Sequence, residues 1–256
     1  MTKIIAIANQ KGGVGKTTTA INLSTCVAER GKKVLLIDID PQGNATSGVG
    51  IAKNTEDKSI YDVLVNSEPI VNIIKPTIVK NLFLCQSSIN LAGAEIELVS
   101  LLSRETRLKK ALEDVQDEYD YIFMDCPPSL GLITLNAFAA ATSVLVPIQC
   151  EYYALEGLGQ LINTIKLVQK NLNKDLEIEG VVMTMFDSRT RLSNQVYEEV
   201  KKYFDDKVFK TVIPRNIRLS EAPSHGLPIT VYDPLSKGAR TYKKLAKELL
   251  NKNKEK

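Results

Sequence analysis

One histidine and no tryptophan occur in 256 residues, and the four cysteines stand far apart with no C-x-x-C pair. The histidine is His225; the cysteines are Cys26, Cys85, Cys126 and Cys150. A zinc site or an iron–sulfur cluster within one chain therefore has almost no ligands to draw on, although a cluster shared between subunits would need only two cysteines from each. No long hydrophobic run is present either. The most apolar stretch, AFAAATSVLVPI, is broken by Thr142, Ser143 and Pro147 and is too short to span a bilayer. Internal repeats, low-complexity tracts and long linkers are also missing. Scattered thiols in a chain without a signal peptide fit a reducing cytoplasm, so a soluble intracellular protein is expected.

What remains is ordinary globular composition, 44% hydrophobic and 25% charged. A chain of this length can form one sizeable domain that buries about three quarters of its unfolded surface. Residues 1–251 are read as that domain and 252–256 as a flexible polar tail. The net charge of +3 conceals an asymmetry: residues 1–188 carry a net −5 and residues 189–256 a net +8. A basic C-terminal quarter suits either a solvated lysine-rich surface or a face turned toward nucleic acid or an anionic membrane.

Short apolar runs at 3–9, 33–40, 81–87, 119–125, 143–149, 178–186 and 207–214 read as strands. Their near-continuous Val, Ile and Leu content suits strands covered on both faces. Helical patterns occupy 16–30, 91–102, 104–116, 129–140, 153–172, 191–204 and 236–251. The alternation predicts an α/β fold of three layers, a doubly wound and mostly parallel sheet with helices on both faces. Such folds bind ligands at the carboxyl ends of the strands. Residues 42–80 are the least regular and are expected to carry loops and short helices near the site.

The segment NQKGGVGKTTTAINLS, residues 9–24, places a glycine turn between a strand and a helix N-terminus. Gly12, Gly13 and Gly15 let backbone N–H groups curl around an anion without Cβ clashes. The helix opening near Lys16 adds the positive end of its dipole. Lys16 is placed to reach β- and γ-phosphates, and the Thr17 hydroxyl to ligate Mg²⁺; Val14 and Thr18 complete the loop. The usual pattern, G-x-x-x-x-G-K-[ST], is altered, because its first glycine is missing and a second lysine, Lys11, lies inside the loop.

This deviant Walker A, K-G-G-V-G-K-T-T, is shared by MinD, nitrogenase iron protein and arsenite-pump ATPases and marks a branch of the P-loop NTPases. With DIDPQGNATSG, DCPPSLG, VPIQCEYYALEGL and TVIPRNIRLSEAPSHG, the chain resembles the ParA/Soj chromosome- and plasmid-partitioning ATPases over nearly its full length. The resemblance implies a slow, Mg²⁺-dependent ATPase. It implies that Lys11 crosses a dimer interface to the partner's phosphates, so that two chains sandwich two ATP molecules. A cation between opposed triphosphates makes electrostatic sense, since it stabilises charge far better in a dry interface than in water. A solvated Lys11 attracting nucleotide at long range is the alternative.

Asp38 and Asp40 close the second strand, and Asp125 ends YDYIFMD; strand ends beside the loop are where Mg²⁺ and an attacking water need acidic partners. By resemblance, Asp125 is the Walker B carboxylate supporting Mg²⁺ through water, and Asp40 orients or deprotonates the nucleophilic water beside the metal. Asp38 has either a metal role or a carboxylate's bonds to backbone. No glutamine is placed as a water positioner and no arginine finger stands out. Slow intrinsic turnover accelerated by a partner is expected, as in a timer.

The resemblance further assigns adenine contacts to Pro214 and Asn216, with Met185 a candidate for apolar contact. It assigns sequence-independent DNA binding to Arg189 and Arg218, and guanidinium contacts to phosphate carry no base information. Two chains double the number of contacts, so ATP would switch DNA binding on through avidity. The implied partners are a second copy of the chain, nonspecific double-stranded DNA and a ParB/Spo0J-like centromere-binding protein that stimulates hydrolysis, with a replication initiator as a further candidate. The implied location is the cytoplasm, on the nucleoid. The rival reading is a MinD-like membrane-associated ATPase that positions division or polar structures. It would need the C-terminal stripe Ala239, Tyr242, Leu245, Ala246, Leu249 and Leu250 to face lipid. That stripe has no Trp or Phe, so docking on the protein's own core is the expectation.

Overall fold

The computed structural model describes residues 2–53, 56–151 and 156–254. The apolar runs form β1 (Lys3–Ile7), then, after helix α1 (Lys16–Ala28), β2 (Val34–Asp38). Two short helices follow, α2 (Asn44–Gly48) and α3 (Ile60–Asn66), before β3 (Ile74–Pro76) and β4 (Leu82–Cys85). Next come α4 (Leu91–Glu97), α5 (Arg107–Glu113), β5 (Tyr121–Asp125), α6 (Leu132–Ala140), β6 (Ser143–Gln149), α7 (Glu156–Asn171) and β7 (Glu177–Thr184). The chain finishes with α8 (Arg191–Phe204), α9 (Ile217–Glu221), α10 (Ile229–Tyr232) and α11 (Lys237–Lys252). The predicted start of α7 at 153–155 lies outside the described residues.

The strands form one sheet in the order β3-β4-β2-β5-β1-β6-β7, parallel except for β3. Side chains alternate across it with the period of two that a strand imposes. Ile4, Ala6, Leu35, Ile37, Ile122 and Met124 enter one core with α3 to α8. Ile5, Ile7, Val34, Leu36, Tyr121 and Phe123 enter the other with α1, α2, α9, α10 and α11. That is the expected three-layer, doubly wound arrangement.

Two expectations need correction. The run 207–214 is not an eighth strand; it follows β7 and the residues just past it through two isolated bridges, Val181–Val208 and Phe186–Pro214, and scattered backbone bonds such as Phe209 N to Val181 O (2.9 Å) and Ile213 N to Met183 O (2.8 Å). The cause lies in α11, whose Glu248 carboxylate takes the Lys210 and Thr211 N–H groups (2.7 and 3.0 Å) away from any ladder. Conversely, the region 42–80 hides β3, an antiparallel edge strand of three residues ending at Pro76. It is too short for a period to show, and an edge is where a sheet accepts proline.

Local chemistry sets the helix starts. Thr190 Oγ1 accepts from Ser193 N ahead of α8, and Ser236 Oγ from Ala239 N ahead of α11. The apolar stripe of α11 lies against α1: Ala239, Tyr242, Leu245, Ala246 and Leu249 are buried, and the Tyr242 hydroxyl meets Thr19 Oγ1 at 3.2 Å. That stripe is thus taken up by the protein's own core. The helix continues through Lys252, one residue into the segment read as the tail. No helix among the described residues is long and apolar enough to cross a membrane.

Candidate active site

The carboxyl ends of β1, β2 and β5 meet at one edge of the sheet, where Asp38 and Asp125 sit side by side in register. The loop from Asn9 to Gly15 leaves β1 there and feeds α1 directly. Gly13 (φ 75°) and Gly15 (φ 88°) hold left-handed conformations that side chains strain to adopt, so the glycines are required by the turn itself. Asn9 braces the start of the loop: its buried amide donates to Pro147 O (2.7 Å) and its Oδ1 accepts from Lys11 N (3.0 Å). The side chain thereby pins the loop's entry to β6. On the far side Thr184, at the end of β7, donates to Val14 O (2.8 Å).

The two lysines part company. Lys16 is buried, and its ammonium folds back to Lys11 O at 3.1 Å. Burial lowers its pKa, opposed by the negative charges of Asp125 and Asp40. The Lys11 ammonium instead leaves the loop and pairs with Glu151 at 2.8 Å, with its side chain 36% exposed. Gln149 Nε2 donates to the other Glu151 oxygen.

Asp125 is fully buried, and neither of its carboxylate oxygens has a hydrogen-bond partner among the described residues. Burial first, then the neighbouring Asp38, pushes its pKa well above the usual carboxylate range, while Thr17 offsets part of that rise. Two orphaned oxygens facing the start of α1 are costly unless something polar or cationic comes to them. A hydrated Mg²⁺ held between Asp125 and the Thr17 hydroxyl would satisfy them. Among the described residues no cluster of three His, Cys, Asp or Glu side chains gathers to hold a metal by itself. Mg²⁺ does not need such a cage, because it keeps its waters and leans on substrate phosphates.

Asp38 resolves as a structural anchor. Its Oδ2 accepts from Thr46 N (2.7 Å) and Thr46 Oγ1 (2.8 Å), and its Oδ1 from Asp40 N (3.2 Å). Burial still raises its pKa to about 6. β2 ends at Asp38, so Asp40 lies in the turn beyond the strand, half-buried, with its Oδ1 accepting from Gln42 N (2.9 Å). Its carbonyl is held by Ser87 Oγ at 2.6 Å. Cys126 is a buried residue beside Asp125, as are the other three cysteines in their places.

Next to Gly15 and Thr18 opens a cavity of about 260 Å³ lined by Thr184, Met185, Pro214 and Asn216. The structure therefore brings the proposed base-contacting residues to the phosphate loop. Asn216 Oδ1 is buried there without a hydrogen-bond partner among the described residues, an acceptor of the kind an exocyclic amine would fill. Arg189 and Arg218 stand apart from this cavity's lining, on α8's approach and on α9. Arg189 is 87% exposed and forked onto Asp187; Arg218 is 55% exposed and paired with Glu221 (2.9 Å) and Asp233 (3.5 Å). Glu151, Ser87, Thr46 and Thr184 escaped the sequence reading. Each acts through a contact with a residue 41 to 170 positions away, which no local spacing encodes.

A family model described as an AAA domain matches residues 2–178. The sporulation initiation inhibitor protein Soj of Bacillus subtilis is 66% identical over 249 residues, 97% of this chain and 98% of that protein. The chromosome-partitioning ATPase Soj of Treponema pallidum is 54% identical over 250 residues, 98% of each. Among solved structures, a cobyrinic acid a,c-diamide synthase from Mycobacterium smegmatis with bound ADP and magnesium superposes with a TM-score of 0.87. It is 38% identical, and the match covers 99% of this chain and 96% of that one. Phosphate loop, buried carboxylate, sheet order and these likenesses agree, and the chain belongs to the Soj/ParA family of P-loop partitioning ATPases.

Proposed function

We propose that this chain is an ATP-gated DNA clamp that serves partitioning: it hydrolyses ATP with Mg²⁺, pairs with a second copy around the nucleotide, and grips DNA while paired. The ATPase itself follows from the family and from a site whose buried Asp125 and Thr17 suit a magnesium-bound triphosphate. Bound there, Mg²⁺ would supply charge neutralisation to the triphosphate. The protein's own groups do the rest. Lys16 and the glycine-loop N–H groups hold the phosphates, Asp40 orients the attacking water, and the cavity by Pro214 and Asn216 receives the adenine.

The observation that carries the pairing is the divergence of the two lysines. Lys16 serves its own loop, whereas the Lys11 ammonium is turned out of it onto Glu151, where phosphates approaching from outside could displace that carboxylate. Hydrolysis would remove the γ-phosphate on which the loops at 40–47 and 125–131 converge, loosening the pair and releasing DNA. A ParB/Spo0J-like protein would set the timing by stimulating that step, and the paired form would reside on the nucleoid. DNA contact is assigned to Arg189 and Arg218. The membrane rival loses its main support, because the stripe of α11 is buried against α1.

The test is light scattering with ATP, ADP or no nucleotide on the native chain and on Lys11→Ala. A dimer with ATP alone, lost in the variant although nucleotide still binds, supports the clamp; a variant that pairs normally overturns it. ATP turnover measured with DNA and the centromere-binding partner added separately and together tests the timing.

A further inference from the structure

The helix that follows the Asp125 loop begins without a cap of its own. Gly131 occupies the N-cap of α6 and has no side chain to offer. A helix start leaves its first N–H groups unsatisfied and carries the positive end of the dipole. The missing acceptor comes from α4: the Glu95 carboxylate takes the Leu132 N–H at 2.9 Å and the Ile133 N–H at 3.4 Å. It lies so close over Gly131 that a Cβ there would collide with both of its oxygens. The glycine is therefore part of the contact, since any larger residue would expel the carboxylate.

The other end of the same segment holds the other loop. Ser87, just past β4, donates from Oγ to Asp40 O at 2.6 Å, and its own N–H bonds to Thr46 Oγ1 at 3.1 Å. Thr46 in turn donates to Asp38. Between Ser87 and Glu95 the chain is anchored by Leu91 and Ala94, both fully buried. Residues 87–95 thus touch the Asp40 turn at one end and the exit of the 125–131 loop at the other, and Leu91 and Ala94 tie the stretch between them to the core while Ile89, Asn90 and Ala92 are exposed.

We propose that Glu95 is a positioning residue for ATP hydrolysis, and that the strut from Ser87 to Glu95 makes the Asp40 and Asp125 loops move as one. The inference rests on the reading above that these two loops respond to the γ-phosphate. A carboxylate accepting from the N–H groups of a helix start forms a charge-assisted contact, stronger than a neutral cap. Without it the 125–131 loop keeps its residues but loses its registration against Asp40. Registration matters more to the rate than to nucleotide affinity, because misplacement by about 1 Å of a positioned group can lower a rate about a hundredfold.

Single-turnover hydrolysis and binding of a fluorescent ATP analogue separate these effects. Glu95→Ala should lower the hydrolysis rate about tenfold or more with analogue affinity changed less than about twofold. Glu95→Gln retains an acceptor and should recover most of the rate. Gly131→Ala breaks the same contact from the other side, so the double variant Glu95→Ala/Gly131→Ala should be no slower than Gly131→Ala alone. Full hydrolysis in Glu95→Ala, equal losses of rate and affinity, no recovery in Glu95→Gln, or multiplying losses in the double variant would each overturn the proposal. Asp40→Ala run in parallel keeps the two ideas apart. Normal turnover there sinks the shared response of the loops and the coupling with it, whereas lost turnover there beside an intact Glu95→Ala sinks the coupling alone.

Discussion

The phosphate loop and the arginine rim near 187–221 both concentrate positive charge, yet they hold it in opposite ways. At the loop Lys16 is buried, its pKa lowered by desolvation, and nearby Asp125 has no hydrogen-bond partner for either oxygen among the described residues. At the rim Arg189 and Arg218 are exposed and already neutralised by Asp187, Glu221 and Asp233. The first region stores an unmet electrostatic demand in a low-dielectric pocket, and a ligand must complete it. The second offers cations that are satisfied in the free chain, so a polyanion gains only what it adds beyond the local carboxylates. If the rim carries the proposed DNA contact, that contact should be weak, salt-sensitive and sequence-blind, whereas binding at the loop should be tight and geometry-dependent.

The largest effect should come from the loop. Lys16→Ala removes a charged donor from a desolvated phosphate site, where such a bond contributes about 1.5–3 kcal/mol. Affinity for a fluorescent ATP analogue should fall about tenfold to a hundredfold. If it falls by less than twofold, the buried lysine is not a phosphate ligand and the contrast between the regions collapses. A smaller, salt-dependent effect is expected at the rim. Arg189→Ala with Arg218→Ala should weaken DNA binding about tenfold at low salt. The slope of log K against log salt should flatten by about 0.9 for each phosphate that is no longer neutralised. A mobility shift repeated over a salt series measures both; an unchanged slope would place the DNA surface elsewhere.

Sequence made the loop legible because its chemistry is local. Strand, glycine turn, lysine and helix follow one another without interruption, and near-continuous Val, Ile and Leu content marked strands covered on both faces. Asp125 was legible as the end of an apolar run. Asp38 was not, because its partner Thr46 is reached only after the chain turns, and the same holds for Ser87 on Asp40 and Glu95 on Leu132. The run 207–214 misled for a similar reason. Its apolar content suits a strand, but a glutamate far along the chain, in α11, claims two of its N–H groups. Lys11 stands between these cases: its departure from the usual loop marked it as special, while the acid that holds it is 140 residues away.

The smallest expected effect probes the rim's self-neutralisation directly. Asp187 accepts from the Arg189 backbone N–H (3.0 Å), Nε (2.9 Å) and Nη2 (2.8 Å). These bonds, the side-chain ones first, depress its pKa to about 2. A carboxyl whose folded pKa is lowered contributes stability above its unfolded value near 4, and that contribution is lost as pH falls through about 2. Between pH 5 and 8 Asp187 therefore stays ionised, and under the proposed assignment it would compete with DNA phosphate for the same guanidinium at every pH in that window. Asp187→Ala frees Arg189 and removes a negative charge beside it, so ATP-dependent DNA affinity should rise about twofold to threefold at low salt. The gain should not vary from pH 5 to 8 and should fade as salt shortens the screening length. Weaker DNA binding in this variant would mean that Asp187 aims Arg189 at the phosphate, making the rim as preorganised as the loop.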